Sequence, residues 1–311
     1  MRFLFPFLAL QISLEESALS GGGAEAARRG WRVVGLTNSA GRLANPAGYE
    51  LRPMPWSSRE NVLEGVDVLV NTYWVRFSYA GAGHAAFSHA EAVENTRQMI
   101  ESARRAGVGR VIHTSITRPD ASSPLPYFRG KAELEQVLAA SGLTHSILRP
   151  AILFGETPAE SILINNMAWS LRHLPAVATF GWGNYGLQPI HVQDFAELAL
   201  DEAELRAPHR IINAVGPETY TFRQLWGELA RSMGLRRPIL PVPAALGCLA
   251  ARILGHLVGD VMLTREEIEG LSQGRLAVPG PTVGKRRLSQ WLREHAATLG
   301  RAYASELARR K

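Results

Sequence analysis

Hydrophobic positions in the first half of the chain fall into short unbroken runs separated by stretches of helical spacing. The runs are Phe3–Ile12 (FLFPFLALQI), Trp31–Leu36 (WRVVGL), Val66–Val70 (VDVLV), Arg110–Ser115 (RVIHTS) and Thr144–Leu148 (THSIL), with a shorter one at Tyr49–Arg52. Apolar runs of this length suit strands buried on both faces, as in a parallel sheet. Between them, Ala24–Arg29, Ser58–Leu63, a stretch from about Ala86 to Ala106, and the segment ending at Gly142 read as helices. Val93, Met99 and Ile100 mark the core side of one, and Leu134, Val137 and Leu138 that of another. Alternating strands and helices predict an α/β fold built on a doubly wound parallel sheet. Ligands of such sheets sit beyond the carboxyl ends of the strands, and the pattern puts Asn71, Ser115 and Pro150 there.

The second half is less regular. Pro189–Asp194 leads into a helix at Ala196–Leu205, Arg210–Ala214 reads as a strand, and Thr221–Met233 reads as a helix capped by its threonine. A mixed amphipathic helix is expected over Leu288–Arg309. This places the larger domain at 1–155 and a smaller α/β domain at 156–311, interleaved through strands near 187–192 and 210–215 that return to the main sheet. Val242–Leu263 is the most apolar stretch, but Arg252, His256 and Asp260 interrupt it. A charge at a bilayer centre costs about 2.5–3.5 kcal/mol, so a core helix of the smaller domain is expected and a transmembrane span is not. Peripheral contact with a membrane stays open.

The apolar start has two readings. Arg2 followed by Phe3–Ile12 resembles a signal-peptide core, with Ser17–Ser20 as a processing site, and it also suits a buried first strand. The rest of the pattern needs a strand there, which favours the second. Composition narrows the class further. With 46% hydrophobic and 20% charged residues, the chain has the make-up of a folded globular protein. Its net charge of +6 comes from arginines interleaved with acids, a solvated surface suited to attracting a phosphate-bearing ligand and not a nucleic-acid groove. Cys248 is alone, which excludes an intrachain disulfide framework and a cysteine-rich metal site and points to a reducing, cytoplasmic compartment. His113, His173, His191 and His209 lack metal-ligand spacing and read as structural or surface histidines, so no metal is expected. Trp74, Trp169, Trp182 and Tyr185 read either as pocket lining or as core, core being the commoner case.

The candidate chemistry lies in Ile112–Lys131 (IHTSITRPDASSPLPYFRGK). Tyr127 and Lys131 stand at i and i+4, on one face of a helix whose first turn accommodates Pro124 and Pro126. A phenol titrates near pH 10 unless a neighbouring cation stabilises its phenolate, and a lysine one turn away supplies that cation. Ser115, after the preceding strand, is placed to hold a substrate oxygen for the same proton transfer. Only Lys131, Lys285 and Lys311 are lysines, so 34 − 3 = 31 of the basic residues are arginine. Seven tyrosines and three lysines in 311 positions predict about 0.07 accidental pairs of this spacing, which favours function over coincidence.

These residues, with Val66–Asn71, PYFRGKAELE at Pro126–Glu135, LRPAILFG at Leu148–Gly155, LQPIHVQD at Leu187–Asp194 and GPETYTFRQL at Gly216–Leu225, resemble the short-chain dehydrogenase/reductase superfamily. The branch is the extended or atypical one, close to bacterial relatives of the nucleotide-binding accessory subunit of respiratory complex I. The resemblance implies a Rossmann-like NAD(P) domain, a smaller substrate-covering domain, and Ser115, Tyr127 and Lys131 as the catalytic triplet. It also implies that Lys131 holds the nicotinamide ribose. Asn71, Thr72, Thr114, Pro150 and Ile152 are the remaining candidates for cofactor contacts. Two functions follow: an oxidoreductase, or an epimerase with transient hydride transfer, acting on a small or apolar carbonyl or alcohol; or a non-catalytic NAD(P)H-binding accessory or sensor protein. The intact Tyr127–Lys131 pair favours the enzyme.

The resemblance has one departure and one cofactor cue. Counting back from Gly30, a glycine-rich phosphate loop would have its glycines near positions 13, 16 and 19, where the chain has Ser13, Glu16 and Leu19. Gly21-Gly22-Gly23 comes later, and Glu15 and Glu16 would repel a pyrophosphate. Residues 1 to about 27 are therefore open to reading as a frame-shifted or misassigned start, and weak or absent dinucleotide binding is expected of the chain as it stands. After the second strand the chain reads Thr37-Asn38-Ser39-Ala40-Gly41-Arg42, with no acid for a ribose diol. Thr37, Asn38 and Arg42 become the candidates there, and NADP is favoured over NAD.

Overall fold

The computed structural model describes residues 2–6, 23–37, 50–57, 61–78, 88–158, 160–205, 207–305 and 307. Asn38, Arg42 and the expected phosphate-loop positions lie outside them. The chain forms two compact units: Met1–Pro150 with Phe195–Asn213, and Ala151–Asp194 with Ala214–Lys311.

The first unit is built on β1 (Arg2–Pro6), β2 (Arg32–Leu36), β3 (Glu50–Arg52), β4 (Val68–Asn71), β5 (Arg110–Thr114) and β6 (His145–Pro150). Its sheet has the order β3-β2-β1-β4-β5-β6, with Arg210–Ala214 added beside β6. Each neighbouring pair from β3 to β6 runs parallel. This is the doubly wound arrangement, whose strand order reverses between β1 and β4. The apolar start therefore forms a central strand, pairing with β2 from Arg2↔Arg32 to Pro6↔Leu36.

Helices α1 (Gly23–Arg28), α2 (His89–Arg105) and α3 (Pro126–Ala140) connect the strands. Ser88 caps α2 by accepting from the Glu91 amide, and Pro126 occupies the first turn of α3. Gly142, at φ +75°, takes the left-handed turn that separates α3 from β6. Val34, Leu36, Leu69, Trp74, Met99, Ile100, Leu134, Leu138 and Ile147 share one buried core. Arg110 ties the returning segment to this unit, donating to the Ala207 carbonyl at 2.8 Å and to Ser146 Oγ at 2.7 Å, while Ser146 donates to Glu202 at 2.7 Å.

In the second unit, Ile152–Phe154 pairs in parallel with Pro189–His191, and Val177–Phe180 with Ile239–Val242. A capping box at Thr221 opens the Phe222–Ser232 helix. Asp194 accepts from the backbone amides of Lys285 and Arg286 at 2.6 and 2.8 Å, fixing the loop that precedes the Leu288–His295 helix.

Four sequence expectations change. The strand expected near 187–192 pairs with Ile152–Phe154 and not with the main sheet, because the chain has turned away after Pro150. The helix expected at Ser58–Leu63 is replaced, among the described residues, by a 3-10 turn at Pro55–Ser57 and a turn at 62–65 that ends on Gly65 at φ +71°. The terminal helix stops at His295, with Gly300 at φ +70° packed directly on the Ala168–Trp169 backbone. The apolar Val242–Leu263 stretch is helical over Ala244–Val258, yet its buried positions are Gly247 and Gly255, so it is not the core helix its composition suggested. No helix among the described residues is long and apolar enough to cross a membrane.

Candidate acid/base and dinucleotide site

The carboxyl ends of β4 and β5 lie side by side, with Asn71 registered against His113. The Asn71 side chain accepts from the Tyr73 amide at 3.0 Å, which fixes its oxygen and turns its NH2 toward His113 Nδ1 at 3.1 Å. His113 must then accept at Nδ1 and carry its proton on Nε2, which has no partner among the described residues. Burial pushes the imidazole well below its ordinary range, with smaller contributions from Lys131 and His145, so His113 is neutral. This bond sets the turn that carries Tyr73 and Trp74 off the end of β4.

Lys131 is the most unusual residue of the unit. It is 1% exposed, and its ammonium donates to the Thr114 carbonyl at 2.8 Å. It also lies 4.4 Å from the centroid of the Trp74 ring, a desolvated cation–π contact worth about 2 kcal/mol. Burial lowers its pKa to about 7, against a smaller raising effect of Glu135 one turn along α3. Glu135 is itself held by Arg149, whose Nε donates to it at 2.9 Å.

Tyr127, one turn before Lys131, is half-buried in an aromatic corner. Its ring stands edge-on to Trp74 at 5.6 Å and to His89 at 5.8 Å, while Trp74 and His89 stack on each other at 5.8 Å. Ser115 follows β5 directly, anchored by its amide to the Leu148 carbonyl at 2.7 Å, and its hydroxyl is buried without a partner. The hydroxyls of Thr72, Thr114 and Thr117 and the Trp74 indole N–H are likewise buried and unpaired among the described residues. Arg118, in the loop between Ser115 and α3, has φ 49°, the left-handed region that side chains rarely adopt.

The structure thus gathers Asn71, Thr72, Thr114, Ser115, Tyr127 and Lys131 around two adjacent strand ends and α3. Pro150 closes β6 beside them, its carbonyl accepting from the Thr117 amide at 3.0 Å. Thr37 sits after β2, buried, with its amide on the Arg52 carbonyl at 2.9 Å. Ile152 belongs to the second unit, where it pairs with Pro189. Trp74, read from sequence as pocket lining or core, is buried against Lys131, whereas His113 was not singled out for the site, and the nearest signal was its place at the end of an apolar strand run. Trp182 is 72% exposed and lines no core.

Gly130 explains how Trp74 reaches the lysine. A Cβ at this position would fall 2.8 Å from Trp74 Cη2 and 3.0 Å from Val93 Cγ2. Both neighbours are packed in the core, so neither yields easily. Gly130→Ala is expected to lower stability by about 1–3 kcal/mol from overpacking, outweighing the roughly 1 kcal/mol that alanine brings to a helix. A urea midpoint unchanged or raised in this variant would show that Trp74 is not confined there.

Residues 24–166 match the family model described as NAD(P)H-binding. This stretch, somewhat under half of the chain, holds Asn71, Ser115, Tyr127 and Lys131. The chain is also 26% identical over 179 residues to the mitochondrial NADH-ubiquinone oxidoreductase 40 kDa subunit of Neurospora crassa. That match takes in 57% of this chain and 46% of the subunit, so it spans less than half of that relative's length. Similar solved folds include the Escherichia coli NADPH-dependent quinone oxidoreductase QOR2 complexed with NADPH, at TM-score 0.68, 19% identity, 94% of this chain and 99% of that one. The Citrobacter sp. triphenylmethane reductase has TM-score 0.73 and 14% identity over 96% of this chain and 100% of that one. A Thermotoga maritima UDP-glucose 4-epimerase has TM-score 0.58 and 17% identity, with coverages of 78% and 86%. The match and these folds support the expected Rossmann-like, doubly wound fold.

Proposed function

We propose that the chain is an NAD(P)H-dependent oxidoreductase acting on a small or apolar carbonyl, or on the corresponding alcohol. The observation that carries this is the buried Lys131 ammonium, held on the Thr114 carbonyl one helical turn from Tyr127, with the Ser115 hydroxyl buried and unpaired among the described residues. A fold that only needed a folded core would not bury a lysine there, since an uncompensated charge is costly to desolvate.

The residues present fit a dinucleotide. Buried polar groups without partners cost about 1–3 kcal/mol each, and Thr72, Thr114, Ser115 and Trp74 offer several where a ribose or amide would meet them. Lys131 would hold the ribose and the Asn71–Thr72 turn would border it. Bound NAD(P)H supplies the hydride. Tyr127 gives its hydroxyl proton to the carbonyl oxygen in reduction and recovers it in oxidation. The Lys131 charge favours the phenolate that remains, and the Ser115 hydroxyl holds the substrate oxygen in place. Trp74 and His89 confine the Tyr127 ring, and Trp74 covers the lysine. The absence of an acid after β2 favours NADP.

A second reading, an accessory or sensor protein that binds the dinucleotide without turnover, draws on the match to the 40 kDa subunit. The test is NADPH consumption in the presence of a panel of quinones and aldehydes. Acceptor-dependent oxidation by the wild type, lost in Ser115→Ala by about tenfold or more, supports the enzyme. Tight NADPH binding with no acceptor-dependent oxidation supports the second reading.

A further inference from the structure

In the second unit, the Ala244–Val258 helix is packed the wrong way round for an ordinary amphipathic helix. Its glycines face inward: a Cβ on Gly247 would fall 2.5 Å from the Phe180 ring, and one on Gly255 would fall 2.6 Å from the Asp260 carbonyl oxygen. Its large apolar side chains face outward. Leu246, Leu249, Ile253 and Leu257 are 58, 54, 54 and 77% exposed, at the spacing that aligns them along one helix face. Half of the exposed large hydrophobic residues in the described chain lie on this one helix. Exposed apolar stripes of this kind mark a surface that is covered when the protein works.

Charge identifies the cover. The helix carries no acidic residue, and its basic side chains are Arg252 and His256. Arg252 and His256 are exposed on the helix itself, flanking the stripe. Asp260 is buried, its carboxylate accepting from the Leu307 amide at 3.0 Å. The face is therefore apolar along its middle, with the Arg252 charge at its edge. A second copy of the chain suits it poorly. A helix of 15 residues is about 22 Å long, so its stripe alone falls well short of the roughly 800 Å² per partner of a stable dimer. Two-fold pairing of the helices would also bring Arg252 toward its own copy. An apolar helix face rimmed by arginine is the pattern that lies in the headgroup boundary of a negatively charged bilayer.

We propose that the Leu246–Leu257 face of this helix docks the protein on an anionic lipid surface. The proposal stands independently of the reading of the nucleotide site. Flotation of the full chain with phosphatidylcholine vesicles, with and without phosphatidylglycerol, tests it. The wild type is expected to float with the phosphatidylglycerol vesicles and to be released by added salt. Leu249→Glu/Ile253→Glu is expected to lower the floated fraction by about tenfold or more, with its melting temperature unchanged because both positions are solvent-facing. Leu257→Ser, at the most exposed position, gives a smaller loss and a second check. The proposal is overturned if the wild type ignores both kinds of vesicle, if it binds neutral vesicles equally well, or if the double variant floats like the wild type. It is also overturned if the wild type is a dimer that the same substitutions dissociate, since the cover is then a second copy.

Discussion

Tyr127→Phe is expected to reduce acceptor-dependent NADPH oxidation by about 10²–10⁴ while leaving NADPH affinity within about twofold. The substitution removes one oxygen from a ring that Trp74 and His89 already hold edge-on, so the aromatic corner keeps its packing. Lys131 keeps its bond to the Thr114 carbonyl, and the buried hydroxyls of Thr72, Thr114 and Ser115 are untouched. What is lost is the phenolic hydroxyl with its proton. A drop in turnover accompanied by an equal drop in affinity would place Tyr127 among the binding groups and remove it from the acid/base role. Unchanged turnover would remove it from the reaction altogether.

Lys131→Met is expected to have the other large effect, on both binding and the pH dependence of stability. Burial lowers the lysine from 10.5 to about 7. Between those values the unfolded chain binds a proton that the folded chain does not, so wild-type stability rises with pH across this window. Below about pH 7 both forms are protonated and the full cost of burying the charge is present. Methionine has the length of the lysine stem and no charge, so the variant lacks this slope. It loses the bond to the Thr114 carbonyl and the contact with Trp74, which offsets part of its gain. The difference in unfolding free energy, variant minus wild type, is therefore most positive near pH 6 and falls by on the order of a few kcal/mol toward pH 10. Parallel stability profiles for the two proteins would show that Lys131 is not desolvated in solution.

Much of the fold and of the acid/base pair was legible because each rests on local rules. Pro126 starts α3 and Gly142 ends it, and Tyr127 and Lys131 face the same way through helical spacing alone. The alternation of strand and helix left one vacancy in the sheet, and Arg2–Pro6 fills it as the central strand. The surroundings of the lysine were not legible, since Trp74 covers it from 57 positions away and reaches it only because residue 130 has no side chain. His113 read as structural, and its neutral, inward-facing ring becomes apparent only once β4 and β5 are adjacent. The Ala244–Val258 helix misled for a related reason. Apolar composition predicts burial, but here glycines make the close packing and leave the leucines outside. Ile152, a cofactor candidate two positions after Pro150, falls in the second unit.

The central claim is that Lys131 belongs to a working dinucleotide site, with Tyr127 as its proton carrier. NADPH fluorescence titration of the wild type, Tyr127→Phe and Lys131→Met at neutral pH tests it most directly. The account predicts saturable binding by the wild type, equal binding by Tyr127→Phe, and an affinity lower by about 10- to 100-fold in Lys131→Met, the worth of one charged hydrogen bond. A wild type that does not bind NADPH, or a Lys131→Met variant that binds it as tightly, would contradict the account.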